Sequence, residues 1–131
     1  MTLVSIIIPF KNPGQFFAPC LKSMQLQSHD ELEILMVNDH SNEMDVKLAQ
    51  SFQKLDHRFH LIHSDGNGII DALQTGLEKA NGVYISRMDA DDIMKRDKIQ
   101  LLSIKISNAP KKTICIGLVS YFASNKELNK G

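Results

Sequence analysis

The sequence is poor in the residues that mark several special classes of protein. It contains no tryptophan and only two cysteines, Cys20 and Cys115, among 131 residues. Two cysteines are too few for a disulfide scaffold, which favours a reduced, cytoplasmic setting. The 15 basic and 15 acidic side chains cancel, so no overall field attracts nucleic acid or an anionic membrane. The apolar run at residues 3–10 is too short to cross a bilayer.

A length of 131 residues and a hydrophobic content of 43% suit one globular domain with its own core. Apolar runs of strand length are separated by segments whose apolar residues recur at helical spacing. The predicted strands cover residues 4–8, 33–37, 59–62, 83–85 and 113–119. The predicted inward faces of the four helices are Phe17, Cys20, Leu21 and Met24; Leu48, Phe52 and Leu55; Ile70, Leu73, Leu77 and Ala80; and Ile99, Leu102 and Ile106. Strands that alternate with single helices predict an α/β fold, Rossmann-like, with a mainly parallel sheet and flanking helices.

Local signals predict where several of these elements begin and end. Pro9 is expected to end the first strand, because proline has no N–H to donate to a ladder. Ser41 or Asn42 is expected to cap the second helix. The pair Asn81-Gly82 predicts a left-handed cap at the end of the third helix.

The acidic segment Asp89-Ala90-Asp91-Asp92 follows the fourth predicted strand, and parallel sheets of this kind bind ligands at the carboxyl ends of their strands. Three carboxylates within four residues repel one another unless a cation or hydrogen-bond donors offset the charge. A divalent ion on a diphosphate needs only one or two protein carboxylates. The segment is therefore a candidate metal site. The alternative is an acidic helix start that complements the helix dipole.

Asp39 follows the second predicted strand, where an acid commonly accepts a hydrogen bond from a ribose hydroxyl or a base N–H. Its alternative role is an Asx turn or a helix cap. The glycines at 66 and 68 fit neither common phosphate loop, because Asp71 stands at the third glycine position and no Gly-Lys-Ser/Thr follows. A zinc site is not expected, since the spacing of His60 and His63 does not place them on one strand face.

Four segments occur in an order that is specific to one family. They read VSIIIPFKN at residues 4–12, EILMVNDHS at 33–41, GIIDALQTGL at 68–77 and GVYISRMDADDI at 82–93. In these segments the chain resembles the amino-terminal half of the family 2 glycosyltransferases, which have the GT-A fold. The resemblance runs along nearly the whole chain. It implies a nucleotide-sugar donor, most often a uridine diphosphate (UDP) sugar, with Mg²⁺ or Mn²⁺ on the diphosphate.

The resemblance also implies roles for the strand-end residues around a bound nucleotide. Asp39 would bind the uracil edge, and Pro9, Phe10 and Lys11 would line the base pocket.

The resemblance assigns the acidic segment to the ribose and the metal. Asp89 and Asp91 would span these two groups, and either Asp91 or Asp92 would be the direct metal ligand. The metal would neutralise charge on the leaving diphosphate while an acceptor hydroxyl attacks the anomeric carbon of the sugar.

In the family, the carboxylate base and most acceptor contacts follow the fifth strand. We therefore expect no catalytic residue within this chain and a base beyond Gly131. Residues 1–131 are then the donor-binding part of a longer catalytic domain, truncated and inactive alone. The expected location is cytoplasmic, with a peripheral position at the inner membrane face as an option. The acceptor would be a saccharide, a lipid or a protein. Apolar surface exposed where the second half would dock favours a homodimer.

Four positions depart from the family pattern. Asn38 stands where the family usually has the first aspartate of a pair, and Lys11 replaces a frequent tyrosine. Gln74 replaces a common asparagine, and Arg96 falls near a common proline. The alternative interpretation is a non-catalytic remnant that binds nucleotide weakly or only packs against a partner. Phosphotransfer folds fit less well because no acid follows the first strand, and nucleotidyltransferases usually have a glycine- and basic-rich loop there.

Overall fold

A computed structural model describes residues 2–110. The strands of one sheet are β1 (Val4–Phe10), β2 (Leu32–Asn38), β3 (Phe59–His63) and β4 (Tyr84–Arg87). Their order is β3-β2-β1-β4, and every neighbouring pair is parallel. The helices are α1 (Phe17–Gln25), α2 (Glu43–Leu55), α3 (Gly68–Lys79) and α4 (Lys98–Ser107), with a 3-10 turn at Gly14–Phe16 before α1. The predicted parallel α/β fold is confirmed, and the strand predicted at 113–119 lies outside the described residues.

The core has two layers because helices cover both faces of the sheet. Strand β1 is buried along its whole length between β2 and β4, which explains its nearly continuous apolar sequence. Ile6, Ile8 and Phe10 face the cluster formed with α1, α2 and α4. Ile7 points the other way, into a smaller cluster with α3. None of the helices within residues 2–110 has the length and hydropathy to cross a bilayer.

Pro9 lies inside β1, so the prediction that it ends the strand is wrong. It pairs with Val37 of β2, whereas pairing with β4 stops two residues earlier, at Ile7 opposite Arg87. The Ile7 carbonyl accepts from the Met88 N–H, so the backbone groups of Ile7, and by alternation those of Pro9, point towards β4. No residue of β4 is paired with Pro9, so no β4 carbonyl there needs an N–H donor. The missing donor therefore costs no ladder bond.

The predicted face of α3 is only half right. Leu73 and Ala80 are half-buried against the sheet, but Ile70 and Leu77 are 76% and 57% exposed. The buried residues of α3 are Ala72, Thr75 and Gly76.

The reason is the short distance between α3 and the sheet. A Cβ atom on Gly76 would lie 2.6 Å from Cγ2 of Ile7 and 3.1 Å from Cγ2 of Val37. Because the helix lies this close, only small side chains fit between it and β1. The larger residues Ile69, Ile70 and Leu77 are turned outwards.

Helix α2 begins as predicted, since the Asn42 side chain accepts from the Asp45 N–H at 2.9 Å. Leu48 and Phe52 pack against the first core cluster. Leu55 is 83% exposed, so its predicted burial is wrong. It is the last residue of the helix, beyond the part that contacts the sheet.

The end of α3 is not the predicted left-handed cap. The chain leaves the helix at Ala80 in an extended conformation, and Gly82 does not have a positive φ. Gly82 is needed for close approach instead, since a Cβ there would lie 2.5 Å from the Ser5 nitrogen. The predicted faces of the two remaining helices are confirmed. The α1 residues are buried, as is Ile99 of α4, whereas the other two predicted residues of α4 are half-buried.

Candidate nucleotide-binding site

Asp39 lies at the carboxyl end of β2 and retains 6% of its accessible surface. Its N–H donates to the Phe10 carbonyl at 3.0 Å. Its Oδ1 accepts from the N–H of Gly68, the first residue of α3, at 3.0 Å. The amino end of a helix stabilises a carboxylate. Within residues 2–110 no group donates to Oδ2 and no buried polar side-chain atom lacks a partner, so Oδ2 reaches the surface as an available acceptor.

The loops that follow the strands are bonded to one another. The Asn12 N–H donates to Oγ of Ser41 at 2.8 Å, and Oδ1 of Asn12 accepts from the Asn42 N–H at 2.8 Å. His40 Nε2 lies 3.0 Å from the Gly66 carbonyl oxygen, so Nε2 carries the proton in this contact. The loops after β1, β2 and β3 therefore form one connected edge of the sheet.

Asn38, a departure from the family pattern, uses both ends of its amide. Its Oδ1 accepts from the Ser41 N–H at 2.8 Å, and its Nδ2 lies 3.1 Å from Nδ1 of His63. The Asn38 amide can donate to His63 when Nδ1 is unprotonated, whereas an ionised aspartate at this position could only accept from a protonated Nδ1.

The acidic segment forms a tight turn after β4, in which the Asp92 N–H donates to the Asp89 carbonyl at 3.1 Å. Asp89 is paired with Arg87 at 3.2 Å, but both side chains are more than half exposed, so this pair contributes little stability. Partial burial, together with the charges of Asp91 and Asp89, raises the pKa of Asp92 above its usual value. The Cys20 thiol beneath this turn is affected too, because burial and the charges of Asp92 and Asp91 raise its pKa to about 12. A cation placed here would relieve the repulsion.

Two polar side chains of the α1 region hold the chain that follows the acidic turn. The Ser23 hydroxyl accepts from the Met94 N–H at 3.0 Å. The Gln27 amide donates to the Lys95 carbonyl at 2.7 Å and accepts from the Ile99 N–H at 3.2 Å. Both side chains are buried, and sequence reasoning missed them. The helical spacing places them beside the apolar stripe of α1, but it does not distinguish them from exposed polar residues.

The carboxylates of this turn suit a hard divalent cation. Mg²⁺ and Mn²⁺ prefer oxygen ligands and take one or two carboxylates together with phosphate oxygens and water. Asp91 and Asp92 are exposed, and after partial burial the charges of Asp91 and Asp89 contribute to the raised pKa of Asp92. Within residues 2–110 no three histidine, cysteine or acidic side chains form a ready-made cage. A diphosphate and water would have to supply the remaining ligands of a cation held here.

The residues predicted to line the base pocket differ in how accessible they are. Pro9 and Phe10 are buried, and the Phe10 ring packs on Phe17 with 4.6 Å between ring centroids. Lys11 is exposed. A ligand at the end of β1 would therefore meet the Lys11 side chain and the loop backbone rather than the face of the Phe10 ring.

The sheet order brings the predicted site residues to one edge. Strand β1 separates β2, which leads to Asp39, from β4, which leads to the acidic turn. Neighbouring strands are about 4.8 Å apart, so the two acidic positions flank the end of β1 across about 10 Å. That span suits a ligand with a base at one end and phosphates at the other.

A second concave region lies at the opposite, amino-terminal end of the sheet. It is a cleft of 290 Å³ whose lining includes Glu33, Arg58 and His60. Arg58 is engaged there in a half-buried ion pair with Asp56 at 2.9 Å. Glu33 accepts hydrogen bonds from Ser5 and from Asn81. These contacts join strands and loops, and the cleft contains none of the predicted site residues.

A protein-family model described as Glycosyl transferase family 2 matches residues 5–131. The chain belongs to this family. The match covers nearly the whole sequence and includes both acidic positions at the edge of the sheet.

Curated relatives of this family 2 chain are bacterial glycosyltransferases. The uncharacterized glycosyltransferase EpsJ of Bacillus subtilis is 35% identical over 101 residues, which are 77% of this chain and 29% of EpsJ. The putative glycosyltransferase EpsH of the same organism is 30% identical over 112 residues, 86% of this chain and 33% of EpsH. Glycosyltransferase GlyA of Streptococcus pneumoniae is 31% identical over 103 residues, 79% of this chain and 15% of GlyA. The family 2 chain thus spans a third or less of these relatives.

Solved structures of glycosyltransferases share the fold. The mannosyltransferase PcManGT from Pyrobaculum calidifontis, in complex with GDP-Man and Mn²⁺, has a TM-score of 0.74 at 22% identity, over 83% of this chain and 33% of that one. TarS of S. aureus, residues 1–349 in complex with UDP, has a TM-score of 0.68 at 19% identity, over 80% of this chain and 32% of that one. The family 2 chain therefore has a GT-A type fold, as the resemblance implied. The predicted homodimer and the location in the cell stay predictions.

Proposed function

We propose that this chain binds the nucleotide-sugar donor of a glycosyltransferase. The observation that carries the proposal is the pair of acidic positions that flank the end of β1, with Asp39 on one side and the Asp89–Asp92 turn on the other. The base of a nucleotide would meet Asp39, and its diphosphate would lie towards the acidic turn. The complexes of PcManGT with GDP-Man and of TarS with UDP support a nucleotide-sugar ligand for this fold.

Recognition of the base would depend on the accessible oxygen of Asp39. Uracil presents one N–H between two carbonyl groups, and Oδ2 can accept from that N–H while Oδ1 stays bonded to Gly68. Lys11 would lie beside the base, with Pro9 and Phe10 shaping the loop from below. UDP is the donor nucleotide that we propose, and guanosine diphosphate (GDP) is the competitor to test.

The diphosphate would be held through Mg²⁺ or Mn²⁺ on the acidic turn. Asp91 and Asp92 are the proposed ligands, and Asp89 would contact the ribose side. Arg87, which pairs with Asp89, would limit the negative charge that surrounds the nucleotide. When bound, the metal would act as a Lewis acid that stabilises the leaving diphosphate.

The acceptor site and the base are proposed to lie outside the described residues. The chain spans 15–33% of the relatives named above, and in this proposal residues 1–131 act as the donor-binding part of a larger catalytic domain. The complete protein would transfer the sugar to an acceptor hydroxyl. Binding of the donor is then the activity to measure on this chain.

Titration calorimetry of UDP and of GDP into the full chain with Mn²⁺ tests the proposal. Asp39→Asn keeps an acceptor for Gly68 but loses the carboxylate, so it should weaken UDP binding by about 10- to 100-fold, the effect of losing a hydrogen bond to a charged group. Glu78→Gln removes the same charge on an exposed face of α3 and should leave the affinity unchanged. Absence of UDP binding, or equal affinity in Asp39→Asn and wild type, would contradict the proposal.

A further inference from the structure

The hydrogen bonds between the loops after β1 and β2 converge on Asn12. Its N–H donates to Oγ of Ser41 at 2.8 Å, and its Oδ1 accepts from the Asn42 N–H at 2.8 Å. The Ser41 hydroxyl also lies 3.4 Å from Oδ1. Asn12 follows Lys11 directly, and Ser41 comes two residues after Asp39. The two side chains proposed to meet the base are therefore close in sequence to this cluster of bonds.

The backbone of Asn12 adopts an unusual conformation that makes these bonds possible. Its φ is +50°, and His40 in the neighbouring loop has a φ of +57°. Within residues 2–110 these are the only non-glycine residues with a positive φ. Asparagine adopts this left-handed region more readily than most residues. Such conformations persist where the surroundings hold them, and they cluster at ligand sites.

Few other hydrogen bonds join the two loops. Apart from the bonds made by Asn12, the described residues contribute one hydrogen bond between these loops, from the Asp39 N–H to the Phe10 carbonyl. The loop after β2 is tied in turn to the next loop, through Asp39 with Gly68 and through His40 with the Gly66 carbonyl. The loops after β2 and β3 are therefore bonded to each other without Asn12. Asn12 supplies most of the hydrogen bonds that attach the loop after β1 to them.

We infer that Asn12 is a positioning residue for donor binding. It sets the separation and orientation of Lys11 and Asp39 through Ser41 and Asn42, without itself contacting the nucleotide. The inference rests on the proposed function. It goes further in assigning a role to a residue outside the proposed contact set.

Two substitutions at this position separate the acceptor from the backbone conformation. Asn12→Gly adopts the positive φ easily but removes Oδ1. Asn12→Asp keeps an acceptor oxygen and tolerates the left-handed region. We expect Asn12→Gly to weaken UDP binding in the presence of Mn²⁺ by about tenfold, and Asn12→Asp to stay within about threefold of wild type.

Amide hydrogen exchange, measured by NMR on the full chain without nucleotide, provides the second readout. The Asn42 amide should exchange about tenfold faster in Asn12→Gly and at nearly the wild-type rate in Asn12→Asp. The inference would be overturned if wild type and Asn12→Gly bound UDP equally well, or if Asn12→Gly and Asn12→Asp lost the same UDP affinity. Either result would leave the proposed function standing. If wild type binds no UDP, the proposed function fails, and the exchange rate of Asn42 still decides whether Asn12 holds the loops. An unchanged rate in Asn12→Gly would show that it does not.

Discussion

Replacement of Gly76 by alanine should lower the free energy of unfolding, although alanine is the better helix former. In an exposed helix this exchange raises stability by about 1 kcal/mol. In α3 the added methyl group would lie 2.6 Å from Cγ2 of Ile7 and 3.1 Å from Cγ2 of Val37, whereas carbon atoms prefer separations of about 3.5–4.0 Å. Both neighbours are buried branched residues with little freedom to move. Overpacking of this kind costs about 1–3 kcal/mol. Subtracting the gain in helix propensity leaves an expected net loss of about 1 kcal/mol, and at most about 2 kcal/mol.

Urea unfolding followed by far-UV circular dichroism measures this difference. Gln74→Ala, on the exposed side of the same helix, is the matched control and should change stability by less than about 0.5 kcal/mol. A Gly76→Ala variant as stable as wild type, or more stable, would refute the short distance between α3 and β1. That distance matters for the site, because α3 begins at Gly68, whose N–H is bonded to Asp39.

Two further predictions concern parts of the molecule away from the proposed ligand. Arg58→Ala should lower the free energy of unfolding by about 2–3 kcal/mol, because Arg58 donates to the Asp56 carboxylate and to carbonyls on two neighbouring segments. The hydrogen bond from Arg58 holds the pKa of Asp56 below its usual 3.8. The stabilisation from this pair is therefore fully present above pH 3.8 and is lost as the pH falls through the lowered pKa. In urea unfolding, the difference in unfolding free energy between Arg58→Ala and wild type should be smaller near pH 3 than at pH 7. Cys20 is fully buried, and this burial raises its pKa to about 12, so its thiol should react with iodoacetamide at pH 8 no faster than the native chain opens. Rapid alkylation in a Cys115→Ser variant would contradict this burial.

The alternation of strands and helices could be predicted from the sequence because each buried segment carries its own pattern. The apolar run of β1 predicts a buried strand. The spacing of Phe17, Cys20, Leu21 and Met24 predicts a helix without any knowledge of the segments that pack against it. The rule that ligands bind at the carboxyl ends of parallel strands then placed Asp39 and the acidic turn at one edge, which the sheet order confirms.

Several of the failures share a cause, since they depend on a neighbour far away in the sequence. Pro9 continues its strand because β4 has already ended, and no local pattern reports where β4 ends. Ile70 and Leu77 face outwards because Gly76 brings α3 too close to β1 for large side chains. The bonds of Asn12 with the loop after β2 were likewise invisible, because they join residues 29 and 30 positions apart.

The most direct test of the central claim is the affinity of the full chain for UDP, measured by titration calorimetry with Mn²⁺ and again with the metal removed by a chelator. If the acidic turn holds the diphosphate through the metal, binding with Mn²⁺ should weaken by at least about tenfold when the metal is removed. Asp91→Asn or Asp92→Asn should abolish that difference. UDP affinity that is the same with and without Mn²⁺, or a metal dependence that survives in both variants, would contradict the account.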